Sequence, residues 1–286
     1  MKTSARRLGT IACALVLLAV TVAWIQLPGI GAGALLHPSR RPFVGPRPQG
    51  CRDRVFEGDG VHLTGWWCDA SAPRLATLVY LHGVADNRSS STGVVERFIG
   101  RGFDVVAYDS RAHGESEGDA CTYGFFEKRD LHRVLDALPA GPIVLLGTSL
   151  GGAVALQEAA GDARVTAVVA AETFSDLRTV ATQRAPFVFT AGAIDRAIRV
   201  AEAQAGFRVA EVSPVLSAAT IKVPVLLVHG SADTDTPPDH SRAVLAALAG
   251  PKRLILVPGA RHNESLRGMV WTEIEQWLDT VLSARR

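Results

Sequence analysis

Short apolar runs alternate with segments of helical spacing along most of the chain. The apolar runs predict strands at 52–57, 61–68, 76–81, 104–108, 143–147, 165–170, 225–229 and 253–257. Helices are predicted at 123–138, 152–159, 239–249 and 264–282. This alternation favours an α/β fold with a mostly parallel, eight-stranded sheet that carries helices on both faces.

The N-terminal segment, residues 1–34, has the pattern of a membrane-directed sequence. A basic start that includes Arg6 and Arg7 precedes an uncharged, almost wholly apolar run at 8–25. Two interpretations are open: an uncleaved helix that anchors the protein in a membrane, or an export signal cleaved near Ala32-Gly33-Ala34. The run is long for a signal and short for an anchor, and Trp24 near its outer end suits an interfacial position, so we favour the anchor. In both cases the basic start predicts that the rest of the chain lies outside the cytoplasm.

Composition limits the partners of the remaining chain. The 286 residues are 48% hydrophobic and carry a formal net charge of +2, with basic residues scattered along the sequence. A balance of this kind argues against a nucleic-acid partner. We predict a Pro- and Arg-rich linker at 35–50, in which Arg40 and Arg41 are either solvated or in contact with lipid headgroups. A single α/β domain follows at 51–286.

The cysteines suggest an oxidising environment. Asp59-Gly60 is a strong signal for a two-residue hairpin turn between the first two predicted strands. That turn places Cys51 opposite Cys68 at a site where the strands approach closely, so we predict a disulfide there. A register slip of one residue would remove the pairing. Cys121 has no evident partner, and no Cys/His spacing resembles a metal site.

A nucleophile-elbow pattern follows the fifth predicted strand. Gly147-Thr148-Ser149-Leu150-Gly151 matches G-x-S-x-G and leads into a run of small residues with helical character. A serine at the tip of such a turn has a strained backbone, and the residues two positions away must be small, as Gly147 and Gly151 are. A chance match in a Gly-rich chain is the alternative, and the flanking strand and helix argue against it.

Taken together, these motifs resemble the α/β-hydrolase superfamily. The sequence is most similar to membrane-anchored serine hydrolases of the Bem46 and ABHD13-like group, which are related to the prolyl-oligopeptidase-like hydrolases. The landmarks occur in the expected order over nearly the whole chain: Leu63-Thr64-Gly65-Trp66-Trp67, His82-Gly83, 109–116, 147–152, 224–230 and His262. The resemblance implies that 51–286 is a catalytic domain of the α/β-hydrolase fold. It also implies that 172–213 is a short cap over the active site.

A catalytic triad in this fold follows the chain order Ser, Asp, His. Asp233 lies just past a buried strand, and the family's pattern, which puts the acid three residues after Gly230, implies that it is the acid that follows Ser149; Asp235 is the rival. His262 is the expected base, since it follows the last strand. His229 and His240 are its competitors, and His229 more readily shapes the acid loop.

Further roles follow from the resemblance alone. It assigns the oxyanion hole to the backbone N–H groups of Leu150 and Val84. It gives His82 and Gly83 a structural role in the oxyanion loop, and it leaves Asn87 either beside the acyl pocket or as the cap of a turn. A triad of this kind requires neither a metal nor an organic cofactor.

The substrate is the least constrained feature. Apolar residues of the predicted cap indicate an acyl or other apolar substrate group, or else serve only to pack the cap onto the domain: Phe174, Phe187, Val188, Phe189, Ile194, Ile198 and Phe207. We predict a serine hydrolase of small-molecule or lipid-like carboxylic esters. A serine peptidase of the prolyl-oligopeptidase type, a thioesterase or acyltransferase on the same triad, and a non-enzymatic binding protein are the alternatives. The sequence leaves the oligomeric state open.

Overall fold

The computed structural model describes the backbone of residues 2–284 and the side chains of residues 11, 15, 17, 18, 21, 22 and 24–284. Strands are β1 Cys51–Glu57, β2 His62–Cys68, β3 Ala76–Leu81, β4 Phe103–Tyr108, β5 Ile143–Thr148, β6 Val165–Ala171, β7 Val225–Gly230 and β8 Lys252–Val257. Helices are α1 Lys2–Leu36, α2 Thr92–Phe98, α3 Glu127–Asp136, α4 Leu150–Ala159, α5 Leu177–Arg184, α6 Ala191–Ala205, α7 Pro214–Ala218, α8 Asp239–Ala247 and α9 Val270–Ser283. Short 3₁₀ turns lie at Arg88–Ser91, Ile99–Arg101 and Val209–Glu211.

The eight strands form one sheet, as predicted. Their order is β1-β2-β4-β3-β5-β6-β7-β8; β2 is antiparallel to both of its neighbours, and the remaining pairs are parallel. Apolar side chains of the inner strands are buried on both faces, in two separate clusters. The carboxyl ends of the parallel strands therefore share one edge of the sheet, where this class of fold builds its sites.

The predicted hairpin register is confirmed. Cys51 lies opposite Cys68 in the β1–β2 ladder, and the structure contains a disulfide between them with the Cα atoms 3.9 Å apart. Cys121 is buried, with a free thiol. The disulfide ties the edge strand β1 to the rest of the sheet.

Two of the predicted helices begin several residues later in the structure than the sequence pattern indicates. The helix predicted from residue 123 begins only at Glu127, because Tyr123 and Gly124 have positive φ angles of 58° and 117°. The Glu127 carboxylate accepts hydrogen bonds from the N–H groups of Thr122 and Gly124, which stabilises a turn there. The helix predicted from residue 264 begins at Val270, since the preceding loop is bonded to the residue that follows β6, as described below.

The end of α1 packs against the domain. The helix continues to Leu36, two residues past the predicted boundary, and Ala32 and Leu36 are buried in a cluster with residues of α5 and α6. No helix in the described part of the chain is long and apolar enough to cross a membrane.

The stretch that follows α1 is bonded to the body as well. The His37 ring donates to the Asp119 carbonyl, and Arg40 donates to the carbonyls of Ser116 and Gly118. Phe43 packs edge-on against Trp66. The predicted linker is therefore anchored at several points along its length.

Candidate active site

The sharp turn between β5 and α4 carries Ser149. Its backbone has φ 49° and ψ −111°, a strained conformation for a residue other than glycine, and its side chain is 4% exposed. A Cβ atom on Gly147 would lie 2.2 Å from the Gly151 carbonyl carbon, and one on Gly151 would lie 2.0 Å from the Leu81 carbonyl oxygen. Steric exclusion explains both glycines of the G-x-S-x-G pattern, and the turn has the geometry of a nucleophile elbow.

A chain of two hydrogen bonds joins three residues that are far apart in sequence. His262 Nε2 lies 3.1 Å from Ser149 Oγ, and His262 Nδ1 lies 2.7 Å from Asp233 Oδ2. Asp233 follows β7 and His262 follows β8. Adjacent parallel strands therefore deliver the acid and the base to the same sheet edge as the serine.

The Asp233 carboxylate is enclosed by donors. It accepts hydrogen bonds from the N–H groups of Asp235 and Thr236 at 3.0 and 2.9 Å. Burial alone would raise the pKa of Asp233, but hydrogen bonds from His229, His262 and the Thr236 N–H outweigh burial and hold the pKa well below its usual range. The carboxylate is therefore ionised at neutral pH and can stabilise a protonated His262.

The rival acid and the rival bases occupy other positions. Asp235 is exposed and contributes only its N–H to Asp233. The His229 ring bridges the Thr236 carbonyl and the Ser241 hydroxyl at 2.7 Å each, so it shapes the acid loop as expected. His240 accepts from the Ser175 N–H and donates to the Gln183 side chain, and burial lowers its pKa.

The loop after β3 lies beside the serine. Gly83 approaches so closely that a Cβ atom there would be 3.6 Å from the Ser149 Cβ. His82 holds the loop, because its Nδ1 donates to the Gly83 carbonyl at 2.7 Å while its Nε2 accepts from the Ser110 N–H at 2.9 Å. Burial lowers the pKa of His82, which fits this neutral, structural state.

The two expected oxyanion donors both lie next to Ser149. Val84 lines the same cavities as the serine, and Leu150 is the first residue of α4. Among the described residues, neither N–H group has a hydrogen-bond acceptor. Leu150 is also at the positive end of the helix dipole, which favours a developing negative charge.

Asn87 caps a turn rather than bordering a cavity. Its side-chain oxygen accepts from the Ser89 N–H at the start of the 3₁₀ turn, and its amide donates to the Arg41 carbonyl. Of the two alternatives left by the sequence, this arrangement favours the cap. Asn87 shapes the site indirectly, by joining the oxyanion loop to the stretch after α1.

Glu172 holds the loop that carries His262, a contact that sequence reasoning missed. It follows β6, is 1% exposed and has a positive φ of 54°. Its carboxylate accepts three backbone N–H groups, those of Asn263, Glu264 and Ser265, at 2.6, 3.1 and 2.8 Å. The available signal was an acidic residue directly after a buried strand, at the sheet edge where the site lies.

Arg184, the last residue of α5, was also missed. It donates to the Asp235 carbonyl and the Thr236 hydroxyl, and one guanidinium nitrogen lies 3.4 Å from His262 Nε2. These contacts join the segment between β6 and β7 to the acid loop. They also place a permanent positive charge next to the His262 ring.

Ser149 lies between two cavities of different character. One, of about 350 Å³, is lined by apolar side chains apart from Ser149, Tyr123 and Arg184. The other, of about 700 Å³, is more polar, because residues such as Asp86, Glu172 and His262 line it together with apolar ones such as Trp271. A substrate bound across the serine would thus have one apolar and one polar part.

One group of side chains elsewhere has the spacing of metal ligands. In the part of the chain that the structure describes, His132, Glu158 and Asp162 place ligand atoms within 4.8 Å of one another. Arg164 pairs with Asp162, and His132 Nδ1 lies 2.8 Å from Glu158. The carboxylates are thus engaged by basic side chains of the protein itself. The cluster lies near the end of α4 remote from Ser149, about 15 Å away along the helix.

Comparison with known proteins identifies the family. A family model described as alpha/beta hydrolase fold matches residues 76–197, and one described as prolyl oligopeptidase family matches residues 139–284. The chain belongs to the α/β-hydrolase superfamily. The second match spans half of the chain, so the chain also belongs to the family which that model describes.

Relatives of this hydrolase include proteins that match it over most of their length. The uncharacterized protein YfhR of Escherichia coli strain K12 is 30% identical over 273 residues, covering 90% of this chain and 89% of YfhR. The human monoglyceride lipase is 29% identical over 113 residues, 37% of each chain. An esterase of Pyrococcus furiosus has the same fold, with a TM-score of 0.68 and 21% identity over 87% of this chain and 98% of the esterase.

Proposed function

We propose that this hydrolase cleaves carboxylic esters with an apolar acyl group through a covalent acyl-enzyme on Ser149. One observation carries the proposal: Ser149 Oγ lies where an apolar cavity meets a polar one. The same oxygen is hydrogen-bonded to His262, which is in turn hydrogen-bonded to the ionised Asp233. The acyl group would occupy the apolar side and the alcohol the polar side.

The chemistry follows from the order of the hydrogen bonds. His262 Nε2 accepts the proton of Ser149 Oγ as that oxygen attacks the ester carbonyl. Asp233 fixes the ring tautomer and stabilises the imidazolium. The N–H groups of Leu150 and Val84 receive the oxyanion, each contributing about 3 kcal/mol. His262 then protonates the leaving alcohol, and it activates the water that releases the acid.

The known proteins support an ester substrate. One similar structure is named an esterase, and one relative is named a monoglyceride lipase. Both names describe those proteins; for this chain they add to the argument from the apolar cavity.

A serine peptidase is the second candidate, because the prolyl oligopeptidase family model matches 139–284. The same triad attacks amides and esters alike. The polar cavity beside Ser149 would then receive the amine side of the scissile bond.

A substrate panel separates the two candidates. We would assay wild-type protein and Ser149→Ala with p-nitrophenyl esters of increasing acyl length, and with proline-containing aminoacyl anilides. Ester turnover that is lost in Ser149→Ala supports the esterase, whereas anilide cleavage without ester cleavage favours the peptidase. Ser217→Ala, far along the chain at the end of α7, is the matched control and should retain activity.

A fluorophosphonate probe tests the mechanism itself. The probe labels a serine only when a base activates it. Labelling of wild type and of Ser217→Ala, but not of Ser149→Ala, is the expected result. Absence of labelling in wild type would argue for a non-enzymatic scaffold.

We further propose that α1 associates with a membrane and that the domain lies outside the cytoplasm. Several apolar side chains on α1 are more than half exposed: Ile11, Leu15, Leu17, Leu18, Trp24, Ile25 and Ile30. The Cys51–Cys68 disulfide fits an oxidising compartment. Alkaline extraction of cell membranes, with intact-mass analysis of the mature protein, tests this. A soluble product that lacks residues 1–34 would instead indicate a cleaved export signal.

A further inference from the structure

The apolar cavity beside Ser149 has a wall that comes from outside the sheet and the helices that cover it. Ile30, Gly31, Ala34 and Leu35, all on the last turns of α1, line it. The opposite walls come from α5, α6 and the elbow. The end of the N-terminal segment, whose sequence predicts an anchor or a signal, thus lines the same cavity as Ser149.

Close packing of α1 against α6 holds this wall in place. A Cβ atom on Gly31 would lie 2.8 Å from the Phe189 ring and 2.9 Å from the Ala197 Cβ, so only glycine permits this approach. The Arg196 guanidinium covers the Trp24 ring at 4.1 Å from its centroid.

The end of α1 is also fixed by hydrogen bonds and burial. The Leu36 carbonyl accepts from the Cys121 N–H at 2.8 Å, and Leu36 is 1% exposed. Ala32 is fully buried in the cluster that contains Phe174 and Leu177. The wall is therefore a defined surface rather than a loosely attached helix end.

We propose that the end of α1 completes an acyl-chain subsite and sets the length of the acyl group that the enzyme accepts. The subsite begins at Ser149 and runs between α1 and α6, with Ala34 and Leu35 as its length-determining residues. This rests on the proposed esterase function and names the substrate part that the apolar cavity takes, an unbranched acyl chain of medium length. It also requires that the mature enzyme retain residues 30–36, since cleavage after Ala34 would remove most of the wall.

The size of the effect follows from the burial of methylene groups. Each methylene that leaves water contributes about 0.8 kcal/mol, which is about fourfold in kcat/KM. The value of kcat/KM for p-nitrophenyl esters should therefore rise with acyl length and stop rising where the cavity of about 350 Å³ is filled.

Two substitutions on α1 should move that limit in opposite directions. Ala34→Phe fills the cavity, so the ratio of kcat/KM for the decanoyl ester to that for the acetyl ester should fall at least tenfold. Leu35→Ala enlarges the cavity, so the optimum should move to a longer chain by at least two carbons. General destabilisation of the fold cannot produce opposite shifts.

Gly29→Phe is the matched control. It adds the same ring as Ala34→Phe to the same helix, at an exposed glycine outside the cavity where a Cβ atom would meet no other atom within 4 Å. All measurements use the full-length purified protein, and each ester is kept below the concentration at which it aggregates in water. The rate of fluorophosphonate labelling in each variant reports whether the triad is assembled.

The outcomes separate the two proposals. Opposite shifts in Ala34→Phe and Leu35→Ala, with a wild-type profile in Gly29→Phe, support the subsite. If all variants turn over esters with the wild-type length profile, the subsite is wrong while the esterase stands. If wild type neither turns over any ester nor labels, the esterase function fails and the subsite fails with it.

Discussion

The two sides of Ser149 are built in different ways. On the side of the proposed triad, Asp233, His262 and Glu172 each lie in a loop that follows a parallel strand of the sheet, and backbone N–H groups satisfy the carboxylates. On the acyl side, the wall comes from α1, α5 and α6, which meet through apolar packing between distant parts of the chain. Hydrogen bonds to charged groups hold the first side, whereas side-chain volume shapes the second. Changes to the first should therefore alter all substrates alike, and changes to the second should alter only the choice of acyl group.

The largest expected effect comes from Asp233, the proposed acid. Asp233→Asn should lower kcat by about 10²–10⁴-fold for every acyl length, because the amide leaves the His262 tautomer and imidazolium unsupported. Asp235→Asn is the control and should stay within about threefold of wild type, since that side chain is exposed. Kinetics on the ester panel measure both. An equal loss of kcat in the two variants would contradict the assignment of Asp233 alone as the acid.

A smaller effect is expected from the support of the histidine loop. Glu172→Gln should lower kcat about 10–100-fold with little change in KM, because an amide cannot accept all three N–H bonds that hold 263–265. The loss should be the same for acetyl and decanoyl esters, which distinguishes it from a change in the acyl wall. The exposed Glu211 provides the matched control as Glu211→Gln. A chain-length-dependent loss in Glu172→Gln would contradict the division between the two sides.

The smallest effect concerns stability below neutral pH. His113 packs against His82 beneath the oxyanion loop, and burial lowers the pKa of His113 to about 4. The unfolded chain, with a histidine pKa of about 6.5, takes up the proton first as the pH falls. The stability contribution of His113 is thus complete above about pH 6.5, and it is lost progressively as the pH falls from 6.5 to 4.

Between pH 7.5 and pH 5 this loss amounts to about 2 kcal/mol in the free energy of unfolding. His113→Asn, which keeps a donor for the Arg111 carbonyl, should lose less stability over that interval than wild type does. Urea unfolding at the two pH values measures the difference. Identical pH dependence in the two proteins would mean that His113 titrates normally.

Much of the catalytic side could be predicted from the sequence. Apolar runs fix the strands, and the parallel order gathers the strand ends, so residues in the loops after β5, β7 and β8 were expected to meet. The geometry brings together Ser149, Asp233 and His262 as that expectation requires. The Cys51–Cys68 pairing was predictable for a similar reason, because a two-residue turn determines every pair in the hairpin.

The sequence was less informative where a contact depends on backbone detail. The predicted helix starts at residues 123 and 264 were wrong. The carboxylates of Glu127 and Glu172 are buried and accept hydrogen bonds from backbone N–H groups, which stabilises turns where the sequence pattern predicted helix. The spacing of apolar residues along the sequence does not reveal such hydrogen bonds. The role of Glu172 became visible only with the loop that it holds.

The sequence by itself determined the sheet, the elbow and the chain order of the triad, since each depends on local patterns and on the geometry of parallel strands. Only the tertiary structure decided that Asp233 rather than Asp235 faces His262, and that α1 forms a wall of the apolar cavity. The physical reason is that the first group of features depends on residues close together in the sequence, whereas the second depends on contacts between distant parts of the chain. An apolar helix buries the same surface against lipid or against protein, and which of its residues face the nucleophile depends on how α1 and α6 pack against each other.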